Sequence, residues 1–462
     1  MAAHLSARGR LRALLVVQVA SRIGNVVTTV SVPFVVLARG GSATDVGITA
    51  FMATVPIVLG GPFGGALVER IGFVRSSIAS DVVSGVTLLA MPVLAWTVGL
   101  PFWALLALVF VSGLFDMPGE SARRVLLPGL ATSAGVSLER AVGLFEASTR
   151  LSVLVGAPVG GVLVAVLGPL PALACTALAF GAAAIVTGLF VRAADAPTTD
   201  APTGDAAAAA ASAPPSHGYW RDLAEGFRFC VRDPFFRLVI ALVLVTNLLD
   251  AARSTTLLPL YADERLGGAQ ALGFVTGTFG GAAFLGSLLF GYVAHRVPRR
   301  LTFVLCFVLA GGPSLLAPAL GLGLPWMLGA SALSGLAAGA LNPILGAVEL
   351  ERIPEHMRAR VFGLLGAGSY AGIPLGGLLA GLAAEGVGVS ATFGVVVAIY
   401  TVVTLAPLTG GAWRLMERRA PGGAAPDGPT GGSADDAQAG SGDGETQPGG
   451  HDAGPGERVL SA

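Results

Sequence analysis

Apolar stretches of about 20 residues recur along the chain from Arg12 to Trp413, separated by short polar, Gly/Pro-bearing breaks. Each is long enough as a helix to cross a hydrocarbon core of about 30 Å. Twelve such spans can be placed: 12–38, 45–68, 76–97, 101–119, 141–167, 170–192, 236–261, 268–293, 301–320, 325–349, 359–384 and 389–412. In lipid a helix satisfies its own backbone polar groups, so all twelve are expected to be helical. The fold class expected is an all-α, multi-pass membrane protein.

Two segments break the pattern. Residues 193–218 are rich in Ala, Pro and Thr and have little to bury, which predicts a linker. Behind it, Trp220, Leu223, Phe227, Cys230 and Val231 recur at roughly helical spacing among Arg221, Arg228 and Arg232, the pattern of an interfacial helix. Residues 414–462 are Gly/Pro/Asp-rich and predict a disordered acidic tail. The expected organisation is an N-terminal six-helix unit (1–192), a linker with its interfacial helix (193–235), a C-terminal six-helix unit (236–413) and the tail.

Composition sharpens this picture. Of the 462 residues, 53% are apolar and only 12% charged, about half the charge of a typical soluble domain. All 28 basic residues are Arg, and without Lys a Walker-type phosphate loop is excluded. Cys175, Cys230 and Cys306 are far apart in sequence and predict neither a metal site nor a disulfide framework. Placing the N-terminus in the cytoplasm puts 23 Arg on inside segments, Arg39 and Arg265 outside, and Arg22, Arg150 and Arg253 within spans. By the positive-inside rule both termini are cytoplasmic and the protein sits in the plasma (inner) membrane.

The two halves repeat. An offset of 226 carries Pro33 to Pro259, Gly47 to Gly273 and Gly113 to Gly339. An offset of 216 carries Gly156-Ala-Pro158-Val-Gly160-Gly161 to Gly372-Ile-Pro374-Leu-Gly376-Gly377. Two halves of the same hand predict a pseudo-two-fold axis along the membrane normal. The glycines are expected to bring span 5 against span 8, and span 11 against span 2.

Charges in the middle of a membrane are costly and usually functional. In span 1, Gln18, Arg22, Asn25 and Thr29 form one stripe; in span 7, Asn247, Asp250 and Ser254 share a face with Arg253 beside them. Asp116, Glu146, Arg150 and Asn342 complete the set. Carboxylates are the expected proton carriers, because Arg stays protonated; the candidates are Asp250, Asp116 and Glu146. Asp250 leads, with three readings open: proton carrier, substrate contact, or permanent partner of Arg253. Glu146 and Arg150, at i and i+4, can neutralise one another. Gln18, Arg22, Asn25, Thr29, Arg150, Asn247, Arg253, Ser254 and Asn342 are the expected substrate-cavity residues, with an aromatic and aliphatic lining around them. No residue pattern calls for a cofactor, a metal or a nucleic-acid partner.

The loop Gly65-Ala-Leu-Val-Glu69-Arg70-Ile-Gly72-Phe-Val-Arg75, echoed by Gly291-Tyr-Val-Ala-His295-Arg296, resembles the GxLxDRxGRR signature of the major facilitator superfamily. Three further segments resemble its drug–proton antiporter branch of macrolide-efflux and enterobactin-export proteins. They are Gly41–Gly47, Phe115-Asp116-Met-Pro118-Gly-Glu-Ser-Ala-Arg123, and Asn342-Pro343 with Arg358-Ala-Arg360-Val-Phe. The chain departs at Glu69, Phe73 and His295, and span 4, read as 101–119, carries no Arg. The resemblance implies a major facilitator fold of 12 transmembrane helices in two pseudo-symmetric six-helix bundles, with spans 1, 4, 7 and 10 around a central cavity. It implies a monomeric secondary transporter that exchanges a small amphipathic or hydrophobic compound for protons across the bilayer. The alternatives are an importer or lipid transporter on the same fold, or a non-transporting membrane sensor or scaffold. It further implies a cytoplasmic gate in which Glu69 faces the start of span 11, supported by Arg70, Arg75 and Asp81, with Gly65, Gly72, Gly291, His295 and Arg296 in the two loop copies.

Overall fold

The computed structural model describes residues 6–191, 227, 228, 230–293, 298–353, 358–409 and 413, with the side chains of 60–67, 69 and 358–360 left aside. Most of the expected linker and all of the 414–462 tail lie outside the described residues, as do His295, Arg296 and the side chain of Glu69.

Among the described residues twelve long helices follow one another: α1 Ala7–Leu37, α2 Ala43–Ile71, α3 Phe73–Thr97, α4 Phe102–Ser133, α5 Leu138–Leu167, α6 Pro169–Val191, α7 Pro234–Leu266, α8 Ala269–Val293, α9 Arg299–Ala319, α10 Leu324–Arg352, α11 Val361–Val387 and α12 Val389–Leu408. Eleven of them are long and apolar enough to cross a bilayer, and α2 contributes the shorter apolar stretch Ala43–Leu59. The protein is a multi-pass membrane protein.

Local chemistry sets the helix ends. Ser42 and Asp45 form a capping box at the start of α2, and the Asp233 carboxylate caps α7 by accepting from Phe235 N–H. Gly168 and Gly388 turn α5 into α6 and α11 into α12 with φ of 89° and 87°, a left-handed conformation that only glycine adopts without strain. Trp96, Trp103 and Trp326 end or begin helices on the extracellular side and stay exposed, as interfacial anchors do.

The fourth helix corrects the span read as 101–119. It continues to Ser133 and carries Arg123, which is 2% exposed. Arg123 is therefore a helix cation and not a loop cation, and the fourth span is not free of Arg; the helix keeps its polar turn because neighbouring side chains satisfy it.

Within the first half α1 packs on α5 and α6, α3 on α4 and α6, and α2 on α4; in the second, α8 and α9 pack on α10, and α9 on α12. The two most extensive contacts between the halves are α2 with α11 and α5 with α8. Repeat-related glycines make both. A Cβ on Gly161 would stand 2.5 Å from the Ala269 carbonyl oxygen, and one on Gly47 would stand 2.9 Å from the Gly377 carbonyl oxygen. Gly156 and Gly160 instead face Val26 and Val27 of α1, while Gly372 and Gly376 face Leu248 of α7. The glycine motifs thus serve both inter-half contacts and packing within each half.

Candidate functional site

A cavity of about 410 Å³ lies where α1, α2, α3, α4, α7 and α11 converge. Its lining mixes apolar side chains, among them Val32, Val46, Ile57, Leu88, Met91, Val109, Met117 and Ile373, with the polar and charged Arg22, Asn25, Asp116, Glu120, Asn247 and Asp250. Among the described residues no aromatic ring lines it, which corrects the expected aromatic component.

Six of its hydroxyls share an orientation. Thr28, Thr29, Thr49, Thr54, Ser254 and Thr255 line the cavity, and each donates its proton to the carbonyl four residues earlier on its own helix. With the proton committed, each oxygen offers only acceptor capacity to a ligand.

The three lining carboxylates have different partners. Glu120 Oε2 is 3.0 Å from Arg22 Nη1, an ion pair across α1 and α4. Asp250 Oδ1 accepts from Arg253 Nε at 3.2 Å and Nη2 at 3.0 Å; Asp250 stays 60% exposed while Arg253 is 8% exposed and lies 5.1 Å over the Phe279 ring. Between the two partners α7 passes into a π-helical turn, Ala252–Leu257, that contains Arg253, a geometry frequent at functional sites. Asp116 accepts a 3.0 Å bond from Ser84 Oγ and has no ion-pair partner among the described residues.

Beneath the cavity floor lies a buried network. Arg123 donates from Nε to Gln18 Oε1 at 2.8 Å and from Nη1 to Ser77 Oγ and Asp81 Oδ1, both at 3.3 Å, while Ser21 donates to Asp81 at 2.8 Å. Gln18, Ser21, Ser77, Asp81 and Arg123 are all nearly inaccessible. Three groups from α1 and α3 thereby hold one buried cation of α4, with Ser21 supporting Asp81.

The arrangement of helices around one central cavity agrees with the sequence-wide likeness. The major facilitator superfamily model matches residues 14–269 and 254–435. The chain belongs to this superfamily. A multidrug efflux pump named Tap from Mycolicibacterium fortuitum is 32% identical over 84% of this chain and 92% of its own length. Its namesake in Mycobacterium tuberculosis H37Rv is 31% identical over 84% and 90%. Solved structures of low identity share the fold of this major facilitator protein. A peptide-transporter (POT family) complex has a TM-score of 0.65 at 14% identity, covering 86% of this chain and 95% of its own. The nucleoside transporter NupG has a TM-score of 0.64 at 12% identity, covering 90% and 100%.

On this superfamily fold the sequence-predicted residues separate into groups. Arg22, Asn25, Thr29, Asn247, Asp250, Ser254 and Asp116 line the cavity, with Asn247 also donating to the Ser369 carbonyl at 2.9 Å. Gln18 leaves the stripe: farther toward the cytoplasmic end of α1 its side chain meets Arg123 rather than the cavity. Arg253 sits behind Asp250. Asn342 and Arg150 are exposed and outside the lining, so α10 contributes nothing to it. Glu146 pairs at 2.9 Å with Arg124, not with Arg150. Asp81 joins Arg123 instead of Arg70 and Arg75, which are exposed. Gly65, Gly72 and Gly291 fall at or near helix ends, as expected of the loop copies. Sequence reasoning missed Glu120 and Arg123, although both stand in the quoted stretch from Phe115 to Arg123; the signal was the i+4 spacing of Asp116 and Glu120 and the i+7 spacing of Asp116 and Arg123 on one helix.

Proposed function

We propose that this protein is a secondary active exporter. It moves a small amphipathic or hydrophobic compound of drug, antibiotic or siderophore type out of the cell by alternating access, in exchange for protons. The observation that carries the reading is the cavity itself, lined by apolar side chains together with carboxylates and drawn from helices of both halves. The likeness to proteins named as multidrug efflux pumps supports the direction of transport.

In this reading residues 1–192 and 236–413 rock as two bundles about the cavity, and a single chain suffices because both halves supply its walls. The coupling carboxylate is Asp116 rather than Asp250. Asp250 and Glu120 each have an arginine partner, whereas Asp116 has, among the described residues, the Ser84 hydroxyl and no arginine, and can exchange a proton without stranding a cation. One proton driven across 100 mV supplies about 2.3 kcal/mol, enough for about 50-fold accumulation of a neutral solute. Glu69, with Arg70 and Arg75, forms the cytoplasmic gate against the start of α11, where the helix dipole favours a carboxylate.

Everted membrane vesicles test the proposal. Energised vesicles carrying the protein are expected to accumulate ethidium and release it on addition of a protonophore. Absence of gradient-dependent movement across a panel of cationic and neutral amphiphiles would overturn it.

A further inference from the structure

On the extracellular side α2 and α11 run antiparallel and meet backbone to backbone. A Cβ on Gly381 would stand 2.6 Å from the Ala43 carbonyl oxygen and 2.9 Å from Gly47 Cα. Just beyond this contact Glu385 Oε2 accepts a 3.0 Å hydrogen bond from the Thr44 N–H, and the Ser42 and Thr44 hydroxyls stand against the same carboxylate. Thr44 lies in the first turn of α2. The capping box satisfies the N–H groups of Ser42 and Asp45 from within α2, so the Thr44 N–H is left for a residue 341 positions away in the other half.

We infer that Glu385 is the extracellular latch of the transport cycle. Its carboxylate holds the N-terminus of α2 while the cavity is shut to the outside, and it releases that N-terminus when the cavity opens outward. The inference rests on the alternating-access reading.

Three observations support it. A helix start carries about half a positive charge, so a carboxylate there is attracted as well as hydrogen-bonded. Glu385 is solvent-exposed, so on release it regains water and the latch opens at low cost. The glycine contact below it fixes the distance at which the bond can form, so any separation of α2 from α11 at this end breaks the bond. The latch is also one-sided. Among the described residues the repeat-related contact of α5 with α8 has no carboxylate on the first turn of α8.

The test uses the full chain in nanodiscs, with spin labels on Arg39→Cys and Val387→Cys after Cys175, Cys230 and Cys306 are replaced by Ala. Distances between the labels read the extracellular opening directly. E385Q is expected to raise the ratio of long to short distances about fivefold, E385D to retain part of the closed population, and D263N, which neutralises an unbonded extracellular acid, to leave the ratio unchanged. A ratio unchanged in E385Q, or an equal shift in D263N, would overturn the latch. Wild-type vesicles without substrate flux would instead count against the transport reading, because the label distances require no substrate.

Discussion

Replacing Asp81 by Ala removes one partner from a buried ion pair. At 3.3 Å and an effective dielectric constant near 20, the Arg123–Asp81 attraction is about 5 kcal/mol. Both ions have also lost their hydration, so the intact pair contributes much less than that net. Its rupture is a different matter. Arg123, 3% exposed at its side chain, would retain only Gln18 and Ser77, and the Ser21 hydroxyl would lose its acceptor. The expected loss for D81A is about 3–5 kcal/mol, and R123A should cost a similar amount because it strands Asp81. The double variant D81A/R123A strands neither, so its loss should fall at least about 2 kcal/mol short of the sum. Equilibrium unfolding in mixed micelles, followed by tryptophan fluorescence, gives all three values. A D81A loss below about 1 kcal/mol, or an additive double variant, would refute the claim that this network is one electrostatic unit.

Two further substitutions separate packing from hydrogen bonding. Gly161→Val drives a side chain into the Ala269 carbonyl and should reduce transport at least about tenfold while the protein still inserts; Gly181→Ala, where a Cβ meets nothing within 4 Å, should leave transport unchanged. Vesicle flux and membrane abundance measured together check both. Tyr400→Phe removes the 3.0 Å bond from the buried hydroxyl to the Phe307 carbonyl, and unfolding should show a loss of about 0.6–1.7 kcal/mol, well below that of D81A.

Much of this organisation is written in the sequence, because membrane spans announce themselves by length and polarity. The repeat offsets also carried real geometry. Gly47 and Gly273, related by 226, meet Gly377 and Gly161, related by 216. What escaped was pairing between helices. The polar turn Asp116–Arg124 looks like the end of a span, since Glu120, Arg123 and Arg124 are each expensive in lipid. Arg22, Gln18, Ser77 and Asp81, brought up by α1 and α3, and Glu146 of α5 make it tolerable inside one. Gln18 shows the same limit. Its spacing from Arg22 places both on one helix face, but the neighbour opposite that face changes within a turn, from the cavity to Arg123. The ranking of carboxylates was likewise invisible, because it depends on which arginine each one reaches.

The central claim is that Asp116 couples proton movement to substrate movement in the cavity. Proteoliposomes with an imposed proton gradient, carrying either the native chain or Asp116→Asn, measure this directly with ethidium as the probe. Coupling through Asp116 requires gradient-driven accumulation by the native protein, and loss of that accumulation in the variant with downhill ethidium exchange retained. Gradient-driven accumulation by Asp116→Asn at the native rate would contradict it.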